Sequence, residues 1–151
     1  MVHCSGNEAI FILLTKECDY GVRVIRALAD GEKRNVATIC TAELVPMPYA
    51  YKILKKLAHA GLLQVRRGKN GGYFLAKPLS TITLYDIVTA VDENLLIFEC
   101  LSDQNHCSLH QPDAPCNVHL EFNRLQSQLV AEMQAKTMDE IFQLPPPTAS
   151  N

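Results

Sequence analysis

Three cysteines and a histidine, in the run Cys100-x6-Cys107-x8-Cys116-x2-His119, are the residues of this 151-residue chain whose types and spacing point most directly to chemistry. Thiolates select zinc, copper(I) or iron–sulfur clusters over hard cations. The stretch between the outer thiols is loop-like, with Asp103, Asn105, Ser108, Pro112 and Pro115. Such a loop folds readily around a metal centre and has little reason to be ordered without one. His119 follows Cys116 by three positions, so a helix beginning there sets both on one side. Three thiols and one imidazole are the donors of a tetrahedral zinc site. Paired C-x2-C knuckles are absent, and the irregular spacing suits a cluster as well. His106 and His110 lie in the same loop, where a histidine is more often merely solvated. Cys18 and Cys40 fall in expected helices and read as small core hydrophobes, and Cys4 is given no role.

The elements flanking this loop read as a nucleic-acid binder. Net charge is −2, yet residues 44–85 hold seven of the fourteen basic residues and none of the sixteen acidic ones. One positive face on an otherwise acidic chain is the electrostatic footprint of a phosphate binder. Gly21, Val24, Ile25 and Leu28 recur at helical spacing, so residues 16–29 form a helix behind Thr15 as N-cap. A short second helix fits residues 37–44, and Pro46 and Pro48 break it. A third helix buries Ala50, Ile53, Leu54 and Leu57. Two short helices and a tight turn make a helix-turn-helix. The third helix leaves Tyr49, Tyr51, Lys52, Lys55 and Lys56 outside the core. Residues 63–67 and 73–76 alternate as paired strands, and Gly68-Lys69-Asn70-Gly71-Gly72 closes the hairpin. That is a wing, with Arg66, Arg67 and Lys69 as its cations. Tyr49, Tyr51 and Lys52 are best placed for base edges, and Lys55 and Lys56 for phosphates. Arg67 suits a narrow minor groove, and Gly71 and Gly72 allow close approach of the backbone.

Thr83-x-x-Asp86 is a capping box that opens a fourth helix, with Leu84, Ile87, Val88 and Val91 as its core face. Beyond the cysteine loop a long helix runs to about residue 136. Val118, Phe122, Leu125 and Leu129 form a narrow seam on it, which points to a two-fold dimer. Thr137-x-x-Glu140 caps a last short helix. The longest apolar run, residues 9–14, is far too short to span a bilayer. No secretory signal surrounds it, so a cytoplasmic protein with reduced thiols is expected. No phosphate-cradling loop, H-E-x-x-H or G-x-S-x-G is present. Cys107 with His110 imitates a nucleophile pair but has no oxyanion hole, so no enzyme is expected.

The runs Leu14-Thr15-Lys16-Glu17-Cys18-Asp19-Tyr20-Gly21, Tyr51-Lys52-Ile53-Leu54-Lys55-Lys56-Leu57, Arg67-Gly68-Lys69-Asn70-Gly71-Gly72-Tyr73 and Ile82-Thr83-Leu84-Tyr85-Asp86-Ile87 carry a resemblance. Together with Ala60-Gly61-Leu62-Leu63 they make the chain similar to the IscR/NsrR family of bacterial winged-helix regulators, over about residues 14–142. The resemblance implies a homodimer joined through the long helix, with a [2Fe–2S] or [4Fe–4S] cluster on each subunit. Cys100, Cys107 and Cys116 fall where that family's ligands do. The fourth ligand is His119 in one pattern and Asp19 of the partner subunit in the other, and the chain carries both.

The expected fold is mostly α: a winged helix-turn-helix DNA-binding domain (15–91), a cysteine-rich loop (92–117), and a dimerisation helix with a short terminal helix (118–143). Residues 1–14 are an N-terminal extension of unknown role, and 144–151 are expected to form a disordered tail. The expected function is a transcription regulator, a repressor by preference, that binds a palindromic operator as its cluster dictates. Two rivals are a winged-helix regulator with a zinc or thiol-only sensor, and an iron–sulfur carrier without DNA function.

Overall fold

In the computed structural model, residues 14–92, 95–102 and 107–143 are described. All but the last residue of the N-terminal extension, and the tail at 144–151, lie outside them. The chain runs α1 (Lys16–Ala27), α2 (Val36–Glu43), α3 (Met47–His59), β1 (Leu63–Arg66), β2 (Gly72–Leu75), α4 (Leu84–Val91), α5 (Asn117–Gln134) and α6 (Met138–Gln143), with single 3₁₀ turns at Leu79–Thr81 and Glu99–Leu101. This is the mostly helical winged fold that the sequence predicts.

Helical periodicity makes the core. Val24, Ile25 and Leu28 from α1 meet Ile53, Leu54 and Leu57 of α3 and Ile87 and Val88 of α4, all of them buried. Each such side chain contributes roughly 1.5–3 kcal/mol on leaving water. Gly21 lets α1 pack closely on α4, since a Cβ there would lie 3.0 Å from Val91 Cγ2.

The ends of the helices are set locally. Asn35 caps α2, its side chain accepting the Thr38 N–H at 2.8 Å. Thr15 has the extended backbone of an N-cap but makes no side-chain cap; its hydroxyl lies 3.4 Å from Cys18 Sγ instead. The capping box of α4 is complete: Thr83 N–H donates to Asp86 at 2.8 Å, and the Asp86 N–H donates back to the Thr83 hydroxyl at 3.3 Å. The turn between α2 and α3 is made by Leu44 in the left-handed region, with φ 54°. Pro46 then takes the N-cap position of α3, and Pro48 lies in its first turn, where a missing N–H costs nothing.

β1 and β2 pair antiparallel in the register Leu63↔Leu75 to Arg66↔Gly72, and Arg34 adds a bridge to Tyr73. Leu63 is buried beneath the hairpin while Gln64, Val65 and Arg66 face outward. Gly68, at φ 111°, turns the wing.

The far end of α5 returns to the winged unit. Met133 and Met138 are core residues, and the Met138 N–H donates to the Ile82 carbonyl at 2.7 Å. Glu140 caps α6 through the Thr137 N–H, again at 2.7 Å.

Candidate nucleic-acid interface and cysteine loop

The recognition helix α3 buries Ala50, Ile53, Leu54 and Leu57 completely and turns its other side outward. Tyr51 and Lys55 are exposed, and Lys55 enters none of the ion pairs found among the described residues. Tyr49 is half-exposed, its ring tilted against Tyr20 at a centroid distance of 5.5 Å. Lys52 and Lys56 are already engaged: both reach Glu17 in the first turn of α1, at 2.6 and 3.5 Å. Lys56 Nζ also donates to the Val91 carbonyl at the end of α4. The hydrogen bond from Lys52, with the charge of both lysines, holds the Glu17 carboxyl below the ordinary range despite its partial burial. Lys56 is therefore less free for a phosphate than the spacing on the helix predicts.

The wing completes the positive face. Arg66, Arg67 and Lys69 are exposed and enter none of the ion pairs found among the described residues. The wing is held from below by Lys33, whose Nζ donates to the Asn70 carbonyl at 2.5 Å. Gly71 and Gly72 serve the hairpin's own packing. A Cβ on Gly71 would lie 2.4 Å from the Arg66 carbonyl oxygen, and one on Gly72 would lie 2.6 Å from that of Arg34. Their lack of a side chain has an internal cause, and needs no duplex to explain it.

The first half of the cysteine loop is anchored to α5, and its Leu95 packs against the core. Gln126 of α5 pins its first half, accepting the Ile97 N–H at 3.0 Å and donating to the Leu95 carbonyl at 2.7 Å. Phe98 stacks on Phe122 at 3.4 Å between centroids. Cys100 follows in the 3₁₀ turn, half-buried like Cys107 and Cys116. The second half is organised by His110. Its N–H donates to the Cys107 carbonyl at 3.1 Å, and its Nδ1 accepts the Cys116 N–H at 3.2 Å. Its ring stacks on His119 at 3.8 Å. Cys116 is the N-cap of α5, so His119 lies in the first turn, as the spacing predicts. His119 Nδ1 is buried and has no hydrogen-bond partner among the described residues, a state that costs free energy unless something binds it. His106 lies outside the described residues.

The donor set fits a soft metal centre in kind: three reduced thiols and an imidazole nitrogen without a partner. It is not gathered, because no three His, Cys, Asp or Glu side chains among the described residues stand close enough to hold an ion. Asp19 lies on the exposed face of α1, paired with Arg23 at 3.0 Å. Of the expected dimer seam, Val118 and Leu125 are exposed, while Phe122 and Leu129 are turned inward against Phe98 and the core.

Glu17, Gln126 and His110 are the residues that sequence spacing did not single out for these positions. Lys52 is 35 residues from Glu17, and Gln126 is 29 residues from Ile97. No local periodicity joins such pairs.

A helix-turn-helix and a cationic wing on one core define a winged-helix DNA-binding protein. The chain belongs to the Rrf2 family, whose model, described as an iron-dependent transcriptional regulator, matches residues 14–143. That family comprises transcriptional regulators, not enzymes. Protein aau3 of Rhizobium meliloti (strain 1021) is 31% identical over 136 residues, covering 88% of this chain and 86% of that protein. Among solved structures, CymR (YrzC), the global cysteine regulator of B. subtilis, shares the fold with a TM-score of 0.67 and 18% identity over 87% of this chain and 96% of that one. T. potens IscR does so with a TM-score of 0.65 and 18% identity over 94% and 97%. No helix among the described residues is long and apolar enough to cross a membrane.

Proposed function

We propose that the chain is a cytoplasmic transcription repressor that binds a palindromic operator as a homodimer under the control of an iron–sulfur cluster. Cys100, Cys107 and Cys116 would hold that cluster, with His119 or Asp19 of the partner subunit as fourth ligand. The observation that carries this reading is the place of the three thiols on the one segment that joins the winged unit to α5, with His119, whose buried Nδ1 has no partner among the described residues, in the helix turn that follows. The iron-dependent character of the family supports it. A cluster, when bound, supplies a centre that responds to oxidants, nitric oxide and iron supply.

The chain's own residues translate the order of the loop into the posture of the DNA-binding unit. His110 joins the Cys107 and Cys116 backbones. Gln126 and the Phe98–Phe122 stack fix the loop's first half to α5. Lys56 ties the end of α4, where the loop begins, to the recognition helix. Two loop states thus correspond to two settings of the paired reading heads. A differential affinity on the order of 1–3 kcal/mol is enough for a working switch.

The test is anaerobic purification with a visible spectrum, iron and sulfide counts, and operator footprinting before and after the centre is stripped. A brown protein whose footprint changes on stripping is expected. Identical footprints for loaded and stripped protein would exclude the mechanism. One observation favours the thiol-only form of a second reading, a zinc or thiol-only sensor: the donors are not gathered among the described residues. A colourless anaerobic preparation, with zinc or no metal, would establish it.

A further inference from the structure

We propose that Glu17 is a specificity determinant: its carboxylate withholds Lys52 and Lys56 of the recognition helix from DNA phosphates and so lowers affinity for non-operator duplex. The inference rests on the DNA-binding reading above. Both carboxylate oxygens are used, Oε1 by Lys52 and Oε2 by Lys56. The side chain of Glu17 is 22% exposed and that of Lys52 55%, so the acid is the fixed partner and the lysine the mobile one. Among the described residues, Glu17 is the one acid that forms ion pairs with the cationic stretch at 44–85. It also lines an open groove of about 590 Å³ with Lys16, Tyr49, Lys56 and Asp92, which leaves a released ammonium room to move.

Binding to arbitrary duplex is almost wholly a count of phosphates neutralised. Binding to an operator adds base contacts and DNA shape, which here belong to Tyr49, Tyr51 and the wing. Specificity is the difference between the two affinities. An acid that occupies two lysines weakens the phosphate-driven mode most, and the ratio rises.

The experiment is a salt titration of the affinity of the full-length protein, in one anaerobic preparation, for a duplex of arbitrary sequence. Glu17→Gln is expected to steepen the slope of log affinity against log salt by about 0.9 if one lysine is released, and by twice that if both are. The double variant Glu17→Gln/Lys52→Gln is expected to fall back towards the wild-type slope. A purely structural role for Glu17 would lower affinity and melting temperature without steepening the slope. Should Glu17→Gln fail to fold, Glu17→Asp decides the matter, because it keeps the charge on α1 but shortens its reach; a smaller steepening is expected. A slope unchanged in the folded variant overturns the inference alone. A wild-type affinity insensitive to salt overturns it together with the phosphate-contact reading.

Discussion

Lys55 and Lys52 lie three positions apart on α3 and differ in one respect: Lys55 enters no ion pair among the described residues, while Lys52 lies 2.6 Å from Glu17. Lys55→Gln is therefore expected to flatten the salt dependence of DNA binding by about 0.9 in log–log slope, equally on operator and non-operator duplex. Fluorescence anisotropy across a salt series measures it. The cysteines divide as clearly. Cys18 is buried, and burial pushes the Cys40 thiol up, beside Met47 Sδ at 3.7 Å. Cys100→Ser, Cys107→Ser and Cys116→Ser are each expected to lose iron and visible absorption, while Cys40→Ser keeps both. Retention of full iron content by any of the loop variants would remove that cysteine from the ligand set. Singly made Asp19→Ala and His119→Ala, read in the same assay, decide the fourth ligand.

At the scale of elements, the close contacts are the points of failure. Gly72→Ala drives a Cβ into the Arg34 carbonyl at 2.6 Å. Backbone cannot yield as a flexible side chain does, so the wing should lose its register and DNA affinity should fall steeply while the helical circular dichroism persists. Thr83→Ala removes one half of a complete capping box and is expected to cost about 1 kcal/mol of unfolding free energy by denaturant titration. The Glu17 tie between α1 and α3 has a pH signature. Its carboxyl is lowered in the folded state, so its stabilisation is present above the unfolded-state value and fades as pH falls through the folded one. The stability difference between wild type and Glu17→Gln should hold at neutral pH and shrink well below roughly pH 4.3.

These elements were readable in the sequence where their cause is local. The core faces of α1, α3 and α4 follow from apolar spacing, the wing from its glycines, and the start of α4 from Thr83 and Asp86. The ties between elements were not readable. Glu17 with Lys52, Gln126 with Leu95 and Ile97, and Met138 with Ile82 join residues far apart in the chain, and nothing in local spacing marks them. The seam on α5 shows both sides of this. Its apolar spacing was plain, but Phe122 and Leu129 face Phe98 and the core, which only the folded path of the chain reveals.

For the whole molecule, Val118 and Leu125 remain as exposed apolar positions of the expected seam, two turns apart on one face of α5. If this face is where two copies meet, Val118→Asp with Leu125→Asp should give a monomer with wild-type helix content and much weakened operator binding. Sedimentation velocity reads the mass, and a dimer that survives both changes would move the interface elsewhere. Because Cys116 opens α5 while Met133, near the other end of the helix, is buried in the core, the proposed switch would use the helix as a lever, and a shift at the sulfur-bearing end would be carried to the head that grips the duplex.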